Sequence, residues 1–570
     1  MTALPHAQEG TRRAPPLGEL LVGAHLITHA QLAEALLQQS TSGKRIGTLL
    51  VELGLINDGD LARELSAQLG IPLINLSQQA PTQTAIETLP ESVARSQLAV
   101  PVTVMDDNSV TIAVADPTEA LAGALANATK RPVRLVIAPR PDVQRAIDSA
   151  YRALGNITEH IRAFEETEAP RRIIETVAAQ ALTDDAPVVQ VVNLLVTQAL
   201  RDRASDVHIE PQDQRMRVRF RIDGALHDAV ELPMSMSAAL ASRLKIMAGM
   251  NIVERRRPQD GQFSMEVDGH EIDVRVSTVA TIWGESCVLR ILDKSRSLFQ
   301  LGELGMPEDT HDVFAKLIRA PFGMVLCAGP TGSGKTTTLY SALNEIDEPH
   351  RNIMTIEDPV EYVFPSINQI QTNEQAGITF ADGLRSILRQ DPDVILVGEI
   401  RDVETARIAV QSALTGHFVL SSLHATDSAA ALHRFLDMGI ESFLIASSVV
   451  AVVSQRLVRR TCTSCKAPYQ PKDEELAFYE EAGGPPKATF FEGTGCNFCS
   501  GTGYRDRIGV YELMRITPEI KRLIVGWATQ EELQRMAVTQ GMRTLRDEAI
   551  RLAADDLTTI SEVVRSIYAF

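Results

Sequence analysis

The segment Gly329-Pro330-Thr331-Gly332-Ser333-Gly334-Lys335-Thr336 separates an apolar run, Met324 to Ala328, from a helix-compatible stretch beginning at Thr337 and reaching Asn344. Few folds accommodate that order. Gly329, Gly332 and Gly334 let the backbone bend tightly enough for successive N–H groups to face an anion, and the helix that follows adds the positive end of its dipole. In such a loop Lys335 reaches the β- and γ-phosphates and the Thr336 hydroxyl is the Mg²⁺ ligand. The pattern predicts a nucleoside triphosphate bound by residues 329 to 337 at the end of a strand in an α/β sheet.

The remaining composition sets limits. At 570 residues the chain is too long for one core and predicts three or four domains. A net charge of −18 argues against a dedicated nucleic-acid binder, because phosphate affinity needs clustered Lys and Arg. Residues Met1 to Pro16 are polar and Pro-rich, unlike a signal peptide, and no eighteen apolar residues run together. The expectation is a cytoplasmic protein that meets a membrane only through partners. The six cysteines read as reduced thiols or metal ligands.

Along the chain, Pro16 to Gln39 aligns with Arg45 to Gln68 at an offset of 29, with ten of 24 pairs identical, among them Gly18/Gly47, Leu21/Leu50 and Ile27/Ile56. This predicts two copies of one small helical unit stacked together. Residues 73 to 151 read as an α/β continuation with strands at 100–104, 110–114 and 134–137, and the N-terminal domain is placed at 1–151. An acidic, Ala-rich stretch, 152–186, reads as a linker. A helix over 188–200 then leads into Asp206-Val207-His208-Ile209-Glu210, whose alternation predicts a strand with Asp206, His208 and Glu210 on one face. That face fits a polar strand surface or a subunit contact better than a metal site. Further strands are predicted at 216–222 and 272–277. After Pro321 the order strand, loop, helix repeats, as in a parallel sheet with helices on its faces.

Three later segments complete a hydrolytic site. Asn352 to Ile356 is a strand that ends in Glu357-Asp358-Pro359-Val360-Glu361, and Asp393 to Gly398 is another that delivers Glu399. Both bring carboxylates to the sheet edge where phosphates lie, Glu399 where it would hold Mg²⁺ or polarise water. A third strand, Phe418 to Leu423, is bracketed by His417 and His424, read as imidazoles sensing the γ-phosphate.

The blocks GPTGSGKT, TIEDPVEY, LRQDPDVILVGEIRD and TGHFVLSSLHA, in this order and spacing, resemble the Walker A, Asp-box, Walker B and His-box signatures of the GspE/PilB secretion ATPases. With ASDVHIEP and RFRIDG ahead of them, the resemblance covers roughly residues 186 to 570. It implies a multidomain α/β protein with a PAS-like α+β subdomain at 187–298 and a RecA-like ATPase domain at 299–460. It further implies a homohexameric ring at the inner face of the cell membrane that moves an inner-membrane platform protein, for pilus assembly or type II secretion. Arg275 and Arg290 match family positions that meet phosphate from the first subdomain, and Arg385 and Arg389 line the same site, as guanidinium groups that stabilise γ-phosphate charge when the ring closes.

Cys462-x-x-Cys465 and Cys496-x-x-Cys499 are two knuckles that suit tetrahedral Zn²⁺, and the family carries a tetracysteine insertion here, placed at 461–505 ahead of a helical region, 506–570. Cys287 and Cys327 read as core residues. The N-terminal repeat resembles the MshEN domain, a cyclic-di-GMP receptor of two 24-residue motifs with a five-residue spacer, here Ser40 to Lys44. The second copy keeps Arg45, Gly47 and Gly54, whereas the first has Pro16 and His25 where the motif has Arg and Gly. Ligand binding and docking to the platform's cytoplasmic partner are both open to such a domain.

Overall fold

Two helix pairs of one plan open the chain in the computed structural model, which describes residues 15–168, 186–293 and 299–568. Helices α1 (Leu17–Gly23) and α2 (His29–Ser42) are matched by α3 (Ile46–Glu52) and α4 (Asp58–Leu69). The offset of 29 has a structural reason at each step. A Cβ on Gly18 would lie 2.6 Å from Leu32, and one on Gly47 would lie 2.7 Å from Leu61, so each short helix needs glycine where the long helix crosses it. His25 and Gly54 both take the left-handed conformation, φ 58° and 68°, that turns the chain between the two. Thr28 and Asn57 then cap α2 and α4 by accepting hydrogen bonds from Gln31 N–H and Asp60 N–H. Leu21, Ile27, Leu50 and Ile56 fill the shared core.

The same unit continues into a three-stranded sheet, β1 (Ala99–Val104), β2 (Val110–Val114) and β3 (Val133–Ile137), antiparallel between β1 and β2 and parallel between β2 and β3. Chain contacts divide the protein into a unit of residues 1–159 with 494–502 and a larger unit of 160–493 with 503–570. Within the expected linker, Ile157–Glu168 is a helix that buries Ile157 and Phe164, an amphipathic pattern that the acidic composition conceals. The rest of the linker lies outside the described residues.

In the larger unit, helix α5 (Pro187–Arg201) and α6 (Ser237–Met247) cover a sheet of six antiparallel strands. These are β4 (Asp206–Pro211), β5 (Arg215–Ile222), β6 (Ala225–Pro233), β7 (Gln259–Val267), β8 (His270–Thr281) and β9 (Gly284–Asp293), in the order β6-β5-β4-β9-β8-β7. The polar face of β4 is held by arginines: Asp206 accepts from Arg290 at 3.1 Å, and Glu210 from Arg219 at 2.5 Å. Burial first, then Arg221, lowers the His208 pKa. Among the described residues no metal-holding group forms on this strand.

The second sheet has the order β12-β11-β13-β14-β10-β15-β18, and β16 (Lys466–Tyr469) and β17 (Phe490–Gly493) form a separate antiparallel pair. Six strands run parallel: β10 (Gly323–Ala328), β11 (Ile353–Glu357), β12 (Asn368–Gln371), β13 (Val394–Val397), β14 (Phe418–Leu423) and β15 (Val449–Thr461). Buried apolar clusters lie on both faces, one around Leu326, Val397 and Val419, the other around Val325, Leu396 and Leu420. The C-terminal region is not helical throughout. It begins with β18 (Tyr504–Arg515), antiparallel to β15, because Val510, Tyr511 and Met514 bury there.

The helix Leu545–Ala554 and the turn Ile560–Val563 follow. Glu562, fully buried, accepts from Arg459 of β15 at 2.7 Å and from Arg565 at 2.5 Å. Burial alone would raise its pKa, but the hydrogen bonds from Arg565 and Arg459 outweigh it and hold the carboxyl at about 2. A depressed carboxyl pKa contributes stability that is complete above the ordinary value of 4.5 and is lost as pH falls toward 2. Glu562→Gln is therefore expected to cost on the order of 2 kcal/mol at neutral pH. Thermal unfolding of the two proteins should show that gap closing as pH falls through this window; a gap independent of pH would refute the ion-pair account.

Candidate active site

Strand β10 is buried from end to end, and the chain leaves it at Gly329 to reach helix α7 (Lys335–Ile346) through the glycine-rich loop. Gly332 and Gly334 have φ of 76° and 89°, open only to glycine without strain. A Cβ on Gly329 would sit 2.5 Å from Ser333 Oγ and 2.7 Å from the Gln455 carbonyl oxygen. Thr331, Gly332, Thr336 and Thr337 are exposed, Pro330 and Gly334 half-buried, and Ser333 buried. Lys335 Nζ donates to the carbonyls of Gly329 at 2.8 Å and Pro330 at 2.9 Å. Burial lowers its pKa, with Arg456 adding to that effect, while Cys327 and Glu399 oppose it. Ser333 Oγ is buried with no hydrogen-bond partner among the described residues, and a lysine stands at the mouth of the loop. Both features fit a phosphate chain, with Thr336 as the hydroxyl available to Mg²⁺.

Around this loop the structure sorts the carboxylates by direction. Glu399 follows β13, with Arg401 hydrogen-bonded to it on one side and His424 Nε2 3.6 Å away on the other. Glu357, at the end of β11, is turned inward. It accepts from Thr355 Oγ1 at 2.6 Å, from Gln369 Nε2 at 3.2 Å and from the Tyr340 hydroxyl, and it is 3% exposed. Burial and then Glu357 raise the pKa of Tyr340, which keeps the phenol protonated as a donor. Asp358 is the exposed acid of this segment, 3.9 Å from Arg401, and Glu361 is half-buried, its Oε1 meeting Arg275 Nη1 at 3.2 Å and its Oε2 buried without a partner among the described residues. The sequence placed Glu361 beside Glu357 but offered no way to tell which of them a hydroxyl behind the strand would claim.

The two histidines part company. His424 follows β14 at the edge that carries the phosphate loop, and burial, followed by the charge of Lys335, lowers its pKa, so the imidazole stays neutral below the ordinary value. His417 precedes β14, roughly 20 Å away along six extended residues. Its Nδ1 lies 3.1 Å from the Ser412 carbonyl oxygen. The expectation that both flank one phosphate site of the same chain is corrected by strand direction.

The arginines divide too. Arg275 and Arg290 stand opposite each other on β8 and β9. Arg275 reaches the second sheet at Glu361, whereas Arg290 is bound within its own sheet by Asp206. On helix α8 (Phe380–Ile387), Arg385 pairs with Asp382 at 3.1 Å and with Glu404, and Arg389, just beyond the helix, donates to the Arg385 carbonyl and to Ser386. These contacts are local, and they do not bring either side chain to the phosphate loop of the same chain.

The ligand atoms of Cys462, Cys465, Cys496 and Cys499 all lie within 4.8 Å of one another. The Sγ atoms of Cys496 and Cys499 are 3.8 Å apart, the edge expected of a tetrahedron with Zn–S bonds of about 2.3 Å. Amides turn toward the same knuckle, Cys499 N–H and Gly501 N–H donating to the Cys496 carbonyl. The donor set fits zinc. Cys287 and Cys327, by contrast, are buried thiols whose pKa burial pushes up to about 12.

A phosphate cradle at the carboxyl edge of a parallel sheet, carrying Lys335 and neighboured by Glu399, defines a P-loop nucleotide hydrolase. The family model for type II/IV secretion system proteins matches residues 181–565, and that for the MshEN domain matches 69–157. The type IV pilus assembly ATPase PilB of Myxococcus xanthus is 43% identical over 559 residues, spanning 96% of this chain and 98% of its own. Type II secretion system protein E of Xanthomonas campestris pv. campestris is 39% identical over 558 residues, spanning 96% and 97%. The X-ray structure of the Legionella pneumophila ATPase DotB shares the fold, with a TM-score of 0.50 at 20% identity over 65% of this chain and 94% of that one. The chain belongs to the type II/IV secretion system protein family and is an ATPase. The MshEN match begins at residue 69, just after the tandem repeat of residues 16–68. Among the described residues no helix is long and apolar enough to cross a membrane.

Two outcomes are expected. Lys335→Ala should lower hydrolysis by about 100-fold or more with the unfolding transition unchanged, since the lysine is a phosphate-directed charge rather than a core element; near-normal turnover would remove it from the site. Elemental analysis should find one zinc per chain, lost in Cys499→Ser together with stability of the C-terminal region. Stoichiometric absence of zinc from the unaltered protein would overturn the metal assignment.

Proposed function

We propose that the chain is a motor that works as a homohexamer, using ATP hydrolysis to move an inner-membrane platform protein in type IV pilus assembly or type II secretion. The observation that carries this reading is the contact of Arg275, from the six-stranded sheet, with Glu361 at 3.2 Å beside the nucleotide sheet. A guanidinium brought to the phosphate edge by one sheet and released with it links hydrolysis to relative movement of the two sheets. Glu399 polarises the attacking water or holds Mg²⁺, His424 senses the γ-phosphate, and Lys335 and Thr336 hold the nucleotide and its metal. Arg290 joins Arg275 as the nucleotide draws the sheets together. Arg385, Arg389 and His417, remote from their own phosphate loop, are offered to a neighbouring subunit. The protein then acts at the inner face of the membrane through its partners.

Glu399→Gln tests the chemistry. ATP should still bind, and turnover should fall by about 100-fold, because the hydrolytic carboxylate is removed while the cradle is kept. Sedimentation of this variant with ATP should show a six-subunit particle; a monomer at every protein concentration would sink the ring.

A second reading, favoured by the MshEN match, makes the N-terminal unit a cyclic-di-GMP receptor that governs this motor. Arg45, the one repeat arginine that matches the motif, is ion-paired with Asp116 and must leave it to meet a guanine. Binding is therefore expected to be weak, by roughly 1.5–3 kcal/mol relative to a domain with both arginines free. Calorimetry of the full chain with cyclic-di-GMP, beside Arg45→Ala, decides between this role and docking to the platform's cytoplasmic partner: heat lost in the variant supports the receptor, and no heat at high micromolar ligand leaves docking.

A further inference from the structure

We infer that Gln455 and Arg456, where β15 passes the end of β10, are positioning residues that hold the phosphate loop and the His424 loop in register for hydrolysis. Nothing in the motif blocks points to this pair. The pairing of β10 with β15 ends at Ala328 opposite Ser454, so Gln455 and Arg456 are the first residues beyond the point where the neighbouring chain turns away into the loop. Gln455 is 1% exposed, and both ends of its amide are used: Nε2 donates to the Ser333 carbonyl at 2.7 Å, and Oε1 accepts from the Cys327 thiol at 3.0 Å. One side chain thus braces the strand before the loop and the loop just before Lys335.

The consequence follows from peptide geometry. The Ser333 carbonyl and the Gly334 N–H belong to one planar trans peptide and point in opposite directions. Tying the carbonyl to Gln455 behind the loop turns the Gly334 N–H toward the side where phosphate is cradled. Without that tie the peptide is free to rotate, and a donor to the phosphates loses its aim.

Arg456 does the equivalent for the next loop. Its Nη2 donates to the Thr426 carbonyl at 2.7 Å and its Nη1 to the Gln455 carbonyl at 3.1 Å, and among the described residues it forms no ion pair. Thr426 lies two residues after His424, whose imidazole faces Glu399 at 3.6 Å. On the far side Ser428 N–H donates to Glu512 at 2.9 Å, a carboxylate of β18 that is 1% exposed. Residues 424–428 are therefore suspended between an arginine of β15 and a glutamate of β18. Gln455 governs the cradle, whereas Arg456 governs the loop that meets the γ-phosphate side.

The inference rests on residues 329–336 being the ATP cradle, and the test separates the two claims. In the full-length protein, Gln455→Met is expected to raise KM for ATP, and Kd for a non-hydrolysable ATP analogue, about tenfold, with kcat within about threefold. Arg456→Met should lower kcat about tenfold with Kd within about threefold, and Arg456→Lys, which keeps a donor for Thr426, should recover most of it. Thermal unfolding accompanies each variant, and Gln455→Glu, of the same size but unable to donate to Ser333, stands in where the methionine variant does not fold. Opposite splits of KM and kcat with recovery by lysine support the inference. Parallel loss of both, no change in either, or no recovery by lysine overturns it. Failure of the cradle itself would appear differently, as an unaltered chain that binds no nucleotide.

Discussion

The chemistry of this chain depends on the parallel pairing of β10 with β14 on one side and β15 on the other. All six residues of β10 and of β14 are buried, so both faces of these strands are fixed by packing. A shift of one residue would exchange Leu326 and Val419 for Val325 and Leu420 between the two apolar clusters. Because register cannot drift, the carboxyl ends of the strands are fixed in space, and each functional loop begins from one of them. The phosphate loop follows β10, Glu399 follows β13 and His424 follows β14.

Against that frame, hydrogen bonds choose which polar groups face outward. Tyr340, on the helix that follows the phosphate loop, donates to Glu357 and accepts from the Glu361 amide at 3.3 Å. That one phenol draws Glu357 inward and orients the backbone at Glu361. Lys335, with no carboxylate ion pair among the described residues, rests on the carbonyls of Gly329 and Pro330. The buried charges elsewhere serve cohesion instead. Glu562 ties the last turn to β15 through Arg459, and Glu512 receives the first amides of two helices, at Ser428 and Leu545. A buried carboxylate is tolerated at both places because donors satisfy it.

The N-terminal unit shows how much a repeat reveals and conceals. Its identical pairs Gly18/Gly47 and Leu32/Leu61 are one contact made twice, and Thr28 and Asn57 are two versions of one cap. His25 occupies the left-handed position that Gly54 fills in the second copy, so the departure from the motif is carried by a backbone conformation that a non-glycine residue can adopt at a small cost. The ion pair of Arg45 with Asp116 has no trace in the repeat, because Asp116 comes from the strand region that follows it.

Much of the local geometry of this ATPase was legible from residue order alone. The glycine spacing of 329–334, the apolar strands ending in Glu357, Glu399 and His424, and the two cysteine knuckles each encode a local geometry, and local geometry follows from backbone sterics and short-range hydrogen bonding. Strand β15 was obscured because its apolar start runs on from the helix at Ser442–Ser448 with neither glycine nor proline between them, only Ser447 and Ser448. The inward turn of Glu357, the separation of His417 from His424 and the bracing of the loop by Gln455 and Arg456 were decided only by tertiary structure. Each depends on strand direction or on a partner remote in sequence, such as Ser333 for Gln455 or Thr426 for Arg456, and a linear pattern carries no information about which distant strand will lie alongside.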